Sequence, residues 1–219
     1  MNRRDFLKTS LAAAVATAGS VFLGGSLLSV AAAPAERKGQ GGKMKILVIT
    51  GSPRKNGNSS TLADHFIRGA EEAGHEMVRF DAAFKEVHPC IACNKCGMNG
   101  ECVFKDDFEF VRKHIVDAGM VVFATPMYYF GISAQIKAVI DRFYAVNGSI
   151  HVPKKAALLM TYADNNRRKE KAIIDHYEVL LDYLGWSDAG QIIAPGVWPV
   201  GAINHTKYPE QAYRLGKNV

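Results

Sequence analysis

The sequence predicts an α/β domain in which helices cover both faces of a five-stranded parallel sheet. The first observation is that short apolar runs alternate along the chain with longer helical patterns, which favours a parallel sheet. The second is that these runs are apolar at nearly every position, as in strands buried on both faces. With 219 residues, of which 48% are hydrophobic, the chain is long enough to build the core of one such domain.

Each predicted strand is a short apolar run bounded by turn or loop residues. The strands span residues 45–50, 76–81, 119–125, 155–162 and 191–194. This arrangement fits the flavodoxin-like form of the doubly wound fold, with strand order 2-1-3-4-5. In that form a ligand lies beyond the carboxyl ends of the strands, so we expect the chemistry in the loops after strands one, three and four.

The predicted helices are identified by an apolar face or by an end signal. Leu62, Phe66 and Ala70 share one face of the first helix. Acidic residues open the second helix, which suits the helix dipole, and Gly74 and Gly185 follow the first and fourth. The helices span residues 58–73, 106–118, 133–146, 167–184 and 209–217.

Residues 1–33 have the layout of an export signal. Arg3 and Arg4 are adjacent in a positively charged start, residues 11–33 carry no charge, and small residues at 31–35 suit a signal peptidase. The paired arginines resemble a twin-arginine signal, which exports folded proteins, so we expect the mature protein in the periplasm or cell envelope. The alternative is a transmembrane anchor, because the apolar run is long enough to span a bilayer. Residues 34–44 are predicted to form a flexible tether before a domain at 45–219.

The charge of the chain is mildly basic. Lys and Arg number 27 against 21 Asp and Glu, a formal net charge of +6, and Arg3, Arg4 and Lys8 of the export signal supply three of the cations. The sequence contains no basic helical pattern with interleaved aromatic residues. It therefore does not predict a nucleic-acid partner.

The loop after the first strand, residues 51–61, has the composition of a phosphate site. It leads into a helix, whose N-terminus presents free backbone N–H groups and a partial positive charge. Ser52, Arg54, Asn58, Ser59 and Ser60 add side-chain donors. The loop has neither the Walker spacing nor the G-x-G-x-x-G pattern. The alternative is an ordinary polar turn in which Asn58 or Ser59 caps the helix.

All four cysteines of the chain lie in one loop, residues 88–104, at Cys90, Cys93, Cys96 and Cys102. The spacing C-x2-C-x2-C-x5-C is close to the compact runs by which ferredoxins bind iron–sulfur clusters, although no proline follows Cys102 and the last gap is longer. We therefore predict a [4Fe–4S] cluster. Three alternatives stay open: zinc, which usually takes two separated CxxC pairs, disulfides in an oxidising compartment, and a motif without metal.

Three motifs, in this order, resemble those of the NADPH-dependent FMN reductase and iron–sulfur flavoprotein family. The first is GSPR at 51–54 with NGNS at 56–59, the second is TPMYYFG at 125–131, and the third is the cysteine loop, which ends before Asp106 and Asp107. Lys137 and the pair Asp141-Arg142 continue the resemblance along the next helix. Together the motifs cover nearly the whole chain after the export signal.

The resemblance implies an FMN cofactor and assigns residues to it. The FMN phosphate would be held by Ser52, Arg54, Asn58, Ser59 and Ser60. The isoalloxazine ring would be lined by the residues after the third strand, Pro126, Met127, Tyr128, Tyr129, Phe130 and Gly131. The alternative for the three aromatic residues is core packing. Residues 161–164 stand where a third flavin-contacting loop is expected but carry no motif, and for Trp198 we expect packing at the end of the fifth strand.

The resemblance also implies a function, an FMN-dependent oxidoreductase that relays electrons between FMN and a [4Fe–4S] cluster held by the four cysteines. It suggests NAD(P)H as electron donor and a homodimer or homotetramer as the assembly. Export argues against NAD(P)H as the donor, because nicotinamide nucleotides are expected to be scarce outside the cytoplasm. We therefore expect exchange of electrons with a redox partner of the envelope, either a protein or a small-molecule acceptor. The alternative is a flavodoxin-fold binding module that uses the cysteines for disulfides or zinc and has no turnover.

Overall fold

The computed structural model describes residues 42–219, and its centre is a five-stranded sheet in which every pair of neighbouring strands is parallel. The strand order is β2-β1-β3-β4-β5, which confirms the predicted flavodoxin-like topology. The strands are β1 Lys45–Thr50, β2 Glu76–Asp81, β3 Met120–Pro126, β4 Lys155–Thr161 and β5 Ser187–Ala194. The order places β1 and β3 side by side at the centre, where the direction of winding changes.

Within residues 42–219, six α-helices pack against this sheet. They are α1 Asn58–Glu72, α2 Phe108–Asp117, α3 Ala134–Asp141, α4 Asn147–Ile150, α5 Lys171–Leu184 and α6 Tyr208–Asn218. One apolar core lies between the sheet and α1 with α6, and the other lies between the sheet and α2, α3 and α5. Because both faces are covered, β1, β3 and β4 are buried along nearly their whole length.

Helices α1 and α6 lie in direct backbone contact. A Cβ added to Gly69 would stand 2.0 Å from the carbonyl oxygen of Tyr213, and one added to Gly216 would stand 2.1 Å from the carbonyl oxygen of Phe66. No side chain fits at either glycine, since real Cβ atoms do not approach other atoms so closely. This contact fixes α1, whose N-terminus faces the site described below.

Three predicted elements differ from those observed by more than two residues. The helix predicted at 133–146 ends as an α-helix at Asp141, and residues 142–150 continue as a 3₁₀ turn and then α4. Strand β5 begins at Ser187, four residues before the prediction, because its first half is polar and half-exposed and so carries no apolar signal. The helix predicted at 167–184 opens with a 3₁₀ turn before α5 begins at Lys171.

The predicted export signal at 1–33 and most of the predicted tether at 34–44 lie outside the described residues. From residue 42 to the C-terminus, none of the helices is long and apolar enough to cross a membrane.

Candidate functional site

A cavity opens at the carboxyl ends of the central strands, where the topology predicts it. The loops after β1, β3 and β4 line it, together with the segment after β5. The lining residues are Ser52, Arg54, Gly57, Asn58, Ser59, Pro126, Met127, Tyr128, Thr161, Tyr162, Ala163, Val197 and Trp198. We call this the flavin cavity. It contains seven of the eleven residues that the sequence assigned to FMN.

The N-terminus of α1 forms one end of the flavin cavity and carries unused donors. Gly57 occupies the N-cap position and offers no side chain, and the first backbone N–H that bonds within the helix is that of Thr61, to the Gly57 carbonyl oxygen. The N–H groups before it have no helical partner, as at any helix start. The hydroxyl of Ser59 is buried and has no hydrogen-bond partner among residues 42–219. Such an orphaned donor is rare and fits a phosphate oxygen, whose charge the helix N-terminus also favours.

The loop before α1 is held in shape by short contacts. Ser52 Oγ accepts a hydrogen bond from the Arg54 N–H at 3.2 Å, and the Gly57 N–H donates to the Arg54 carbonyl oxygen at 3.0 Å. A Cβ on Gly57 would stand 2.4 Å from Ser52 Oγ and 3.0 Å from the Arg54 carbonyl oxygen, so the lack of a side chain permits this close approach. Ser60 is buried beside Ser59 but does not line the flavin cavity.

Arg54 and Trp198 pair across the mouth of the flavin cavity. Arg54 Nη1 donates to the carbonyl oxygen of Trp198 at 3.1 Å, and its guanidinium carbon lies 5.2 Å from the centroid of the Trp198 ring. The expected packing of Trp198 at the end of the fifth strand is wrong: the side chain is 64% exposed and forms part of the cavity wall. The tryptophan belongs to the site because the chain turns back toward α1 after β5.

Asn58 links α1 to that returning segment. Its Nδ2 donates to the carbonyl oxygens of Val197 and Pro199, and its Oδ1 accepts from the N–H groups of Gly201 and Ile203. These four bonds occupy both ends of the amide, so Asn58 has its backbone N–H, not its side chain, left for a phosphate. The side chain instead sets the position of the wall that carries Trp198.

The segment after β3 makes a tight two-residue turn. Tyr128 and Gly131 exchange backbone hydrogen bonds of 3.0 Å in both directions, with Tyr129 and Phe130 between them. Both central residues have positive φ, 45° and 63°, a conformation that Asn and Gly usually supply. Tyr129 is fully exposed and Phe130 and Tyr128 are also exposed, so the alternative of core packing is wrong for all three. Gly131 lines neither the flavin cavity nor the neighbouring cleft.

A shallow cleft continues from the flavin cavity past this turn. It shares Met127, Tyr162 and Ala163 with the cavity and adds Tyr129, Phe130, Asp164 and Lys169. Residues 161–164, for which the sequence gave no motif, therefore contribute to both openings.

Tyr162 is fixed at the base of the two openings by a buried partner. Its hydroxyl donates to Glu170 Oε2 at 2.6 Å. Burial, together with the hydrogen bond to Glu170, raises the pKa of Tyr162 well above its ordinary value. The phenol therefore stays protonated, and its position is fixed by Glu170, in the 3₁₀ turn before α5, rather than by a ligand.

The four cysteines line a second cavity, on the face of the sheet that carries α2 and α3. We call it the cysteine cavity; its other lining residues are Ile91, Asn94, Val103, Phe104, Arg142 and Ala145. Cys96 and Cys102 are half-buried against the core, whereas Cys90 and Cys93 are exposed. All four thiols are free. Within residues 42–219, no group of three or more His, Cys, Asp or Glu side chains is placed to hold a metal ion.

Four residues of the cysteine loop have left-handed backbone. Ala92, Asn94, Gly97 and Met98 have φ between 53° and 68°. Left-handed residues in a loop help to turn N–H groups into a concavity that binds anions, a feature of many phosphate and iron–sulfur sites. One N–H already reaches a sulfur atom, since that of Ala92 donates to Cys90 Sγ at 3.4 Å.

Arg142 joins both ends of the cysteine loop. Its Nη1 donates to the carbonyl oxygen of His88 and to Asp106 Oδ2, at 3.0 and 2.8 Å, and its Nη2 donates to the carbonyl oxygen of Phe104. The side chains of Arg142 and Asp106 are 1% and 5% exposed, so this is a buried ion pair. Further anchors come from α2 and the 142–150 segment, whose side chains bond to the loop at Asn94, Asn99 and Gly100. The sequence could not reveal this role of Arg142, because its partners lie 36 to 54 positions away.

Comparison with known proteins identifies the family. The sequence model described as NADPH-dependent FMN reductase matches residues 44–194, more than half of the chain. The chain belongs to the NADPH-dependent FMN reductase family. This membership indicates an FMN-dependent oxidoreductase and agrees with a flavin cavity at the carboxyl ends of the strands. Residues 1–20 match the signal sequence of the twin-arginine translocation pathway, which indicates export.

Individual relatives of this FMN reductase family member carry two kinds of name. A protein of Archaeoglobus fulgidus named iron-sulfur flavoprotein is 36% identical over 99 residues, 45% of each chain. A protein of Bacillus subtilis named putative NAD(P)H-dependent FMN-containing oxidoreductase YwqN is 26% identical, over 80% of this chain and 97% of that one. The chain spans about half the length of the iron–sulfur flavoproteins that it resembles.

A solved structure supports the fold of the family member. The NAD(P)H:quinone oxidoreductase from Methanothermobacter marburgensis aligns with a TM-score of 0.62 at 18% identity, over 81% of this chain and 96% of that one. At this identity the likeness concerns the fold alone.

Proposed function

We propose that this chain is an FMN-dependent oxidoreductase of the cell envelope that passes electrons between FMN and a [4Fe–4S] cluster bound by its four cysteines. The observation that carries the proposal is the start of α1, where an uncapped helix N-terminus and the buried, unpartnered Ser59 hydroxyl face a cavity lined by three strand-end loops. When bound, FMN takes up electrons in pairs and releases them singly or in pairs, while a cluster carries one electron at a time.

The proposed phosphate site consists of side chains and backbone donors at the first turn of α1. Ser52, Ser59 and the backbone N–H groups of residues 58–60 would donate to the phosphate oxygens, and Arg54 would supply a positive charge at the mouth. Asn58 would act indirectly, by holding the segment with Trp198 in place. Ser60, which does not line the cavity, is dropped from this set as a side-chain ligand.

The proposed ring site lies between the turn after β3 and the loop after β4. Pro126, Met127 and Tyr128 would line one side, and Tyr162 and Ala163 the other. Tyr129 and Phe130 would stand at the outer edge, where the shallow cleft gives an electron donor or acceptor access to the ring. Trp198 would limit the entry of water beside the phosphate end, because its exposed ring covers Arg54.

The cysteine loop is assigned to a cluster because all four thiols line one cavity. The crowded spacing of the four cysteines favours a cluster over zinc, which usually takes two separated CxxC pairs. The left-handed residues of the loop support a negatively charged group, and a Cys-ligated cluster carries net negative charge. Relatives named iron-sulfur flavoprotein agree with this assignment.

The proposed donor is a redox partner of the cell envelope rather than NAD(P)H. The export signal supports this choice, because a protein folded around its cofactors in the cytoplasm would then work where nicotinamide nucleotides are scarce. The relative named as NAD(P)H-dependent supports the opposite choice. We further propose a homodimer or homotetramer, in which the exposed aromatic turn at 128–131 would lie close to a subunit boundary.

The first test is the cofactor content of anaerobically prepared protein. We expect about four iron and four sulfide per FMN, as for one [4Fe–4S] cluster. The variant Cys96→Ser should lose iron and keep FMN, whereas Ser149→Ala, which removes a hydroxyl bonded to the same loop at Asn99, should keep both. FMN without iron would contradict the cluster, and zinc in the same metal analysis would replace it. Protein without FMN would contradict the oxidoreductase and favour a binding module.

The second test concerns the electron donor. Anaerobic stopped-flow mixing of the holoprotein with NADPH at micromolar concentration should bleach the flavin band slowly, if the donor is an envelope partner. Rapid bleaching would overturn this part of the proposal and restore NADPH as the donor. The flavin reduced chemically by dithionite serves as the control that the bound FMN can be reduced at all.

A further inference from the structure

Arg142 has one donor that its structural partners leave unused. Nη1 and Nη2 bond to the loop carbonyls and to Asp106, but Nε is buried and has no hydrogen-bond partner in the described part of the chain. A buried N–H without a partner destabilises the fold, and more so when the group is charged. A structural role alone does not account for that cost, since the loop ends are already joined by the other two nitrogens.

The unused donor belongs to a side chain of the cysteine cavity wall. Arg142 lines that cavity together with all four cysteines, whereas Asp106, its ion-pair partner, does not. The positive end of the buried pair therefore lies toward the thiols and the negative end away from them. The rings of Phe104 and Phe108 flank the guanidinium, with centroids 5.4 and 4.8 Å from its central carbon, and exclude water from it.

Charge makes this orientation significant. Four thiolates around a [4Fe–4S] core leave net negative charge, and reduction by one electron increases it. A fixed positive charge in a poorly hydrated wall stabilises the more negative state and so makes reduction easier, because charges interact more strongly where water is excluded. An N–H group that donates to a cluster sulfur would add a hydrogen bond of the kind that tunes cluster potentials.

We propose that Arg142 is a positioning and tuning residue of the cysteine site, which donates from Nε to a sulfur of the bound cluster and raises its reduction potential. This inference rests on the proposed cluster. The reaction that it affects is the transfer of one electron to the oxidised cluster from reduced FMN or, in the test, from dithionite, which is oxidised as the cluster is reduced. If Arg142 tunes the cluster, replacing it changes the reduction potential of the cluster. If Arg142 only holds the loop in shape, replacing it does not change that potential.

The test compares Arg142→Gln with two other variants. A mediated dithionite titration followed by EPR gives the cluster potential, and we expect Arg142→Gln to shift it to more negative values. Loss of iron to a chelator should become about 10- to 100-fold faster, as for other outer-shell partners of metal ligands. Arg142→Lys keeps the charge and should shift the potential less. Because Arg142→Gln leaves Asp106 unpaired, the double variant with Asp106→Asn is measured as well. It should shift the potential in the same direction but less, since the negative charge of Asp106 is removed too.

Arg112→Gln is the matched control, because Arg112 also anchors the cysteine loop, through the Gly100 carbonyl oxygen at 2.7 Å, but does not line the cavity. It should leave the potential unchanged. A wild-type potential in loaded Arg142→Gln and in the double variant would overturn the assignment of Arg142 and leave the cluster proposal intact. Wild-type protein that takes up no iron on anaerobic reconstitution would overturn both.

Discussion

At the scale of single residues, the flavin cavity is distinguished by one hydroxyl. Ser59 and Ser60 are neighbours in the same turn of α1 and are equally plausible from the sequence. The structure separates them, since Ser59 lines the cavity with an unpartnered Oγ and Ser60 does not line it. An unpaired buried hydroxyl destabilises a protein that lacks its ligand and contributes to affinity once the ligand is bound.

Replacing Ser59 and Ser60 in separate variants tests this difference, with Ser60 as the control. Ser59→Ala should raise the Kd for FMN about tenfold, the effect of losing one hydrogen bond to a charged group, and should leave the thermal stability of the FMN-free protein unchanged or slightly higher. Ser60→Ala should change the Kd by less than about twofold. Fluorescence titration of FMN into the apoprotein measures both. Equal effects of the two substitutions would show that the cavity is not the phosphate site.

Single residues are also where the sequence was least informative. The phosphate loop could be predicted because its members are consecutive and its residue types report their chemistry. The roles of Trp198 and Arg142 could not be predicted, because they depend on contacts with residues far away in the chain. Trp198 contacts Arg54. Arg142 contacts His88 and Asp106. No local pattern distinguishes an exposed tryptophan in a cavity wall from one packed in a core.

At the scale of elements, the turn at 128–131 places two aromatic residues in a strained conformation. Left-handed backbone costs a residue with a Cβ of the order of 1 kcal/mol, and Tyr129 and Phe130 both adopt it. Neither ring offsets that cost by burial in the core, because both are exposed. The turn is thus better suited to a bound ligand or partner than to stability.

Replacing the turn with the residues that favour it should separate stability from function. The double variant Tyr129→Asn with Phe130→Gly should raise Tm by about 4–8 °C, the shift that roughly 2 kcal/mol, about 1 for each residue, produces in a domain of this size. It should also lower turnover with an artificial acceptor, since the outer edge of the ring site loses both aromatic side chains. Tyr129→Phe keeps the ring and the strain and should leave Tm unchanged. A lower Tm in the double variant would contradict strain in this turn.

The boundaries of an element could be predicted where the element is buried over its whole length and therefore reads as an unbroken apolar run. β1, β3 and β4 are buried throughout, so their apolar runs located them within a residue or two. β5 lies at the sheet edge, and its polar start, with a register irregularity opposite Ala156 and Ala157, hid its first half. The continuous helix predicted at 133–146 failed because apolar spacing does not distinguish an α-helix from the 3₁₀ turn that follows α3.

At the scale of the whole molecule, the topology was the part of the structure that the sequence determined best. Alternating strands and helices leave few connected arrangements, and the order 2-1-3-4-5 was among them. The topology also indicated which edge of the sheet would hold the flavin cavity. It did not indicate the cysteine cavity, which depends on a long loop between β2 and α2 and on its anchors.

The buried pair of Arg142 and Asp106 ties this loop to the rest of the fold and makes stability depend on pH. Burial raises the pKa of Asp106, but the hydrogen bonds from Arg142 and from the N–H groups of His88 and Phe108 outweigh it, so the pKa lies below its ordinary value. The pair therefore stabilises the fold fully above the ordinary carboxyl pKa, near pH 4, and the contribution is lost as the pH falls through the lower folded value.

Urea unfolding at about pH 7 and pH 3 should show this loss. Asp106→Asn should be less stable than the wild type at neutral pH and should lose less stability on acidification. Asp164→Asn is the control: its partner Lys169 lies at the surface, where an ion pair contributes little, so the pH dependence should match that of the wild type. An unaltered pH dependence in Asp106→Asn would contradict this account of the pair.

The length of α3, eight residues, determines the distance and the rotation between the flavin cavity and the cysteine cavity. Its N-cap, Ser133, donates its N–H to Thr125 Oγ1 at the end of β3, beside the aromatic turn, and Arg142 follows its last residue. At 1.5 Å per residue the helix sets a separation of about 13 Å between these points. One inserted residue would rotate everything after it by about 100° and move the guanidinium away from the cysteines. Insertions and deletions should therefore be tolerated in the loops of this fold far better than in α3.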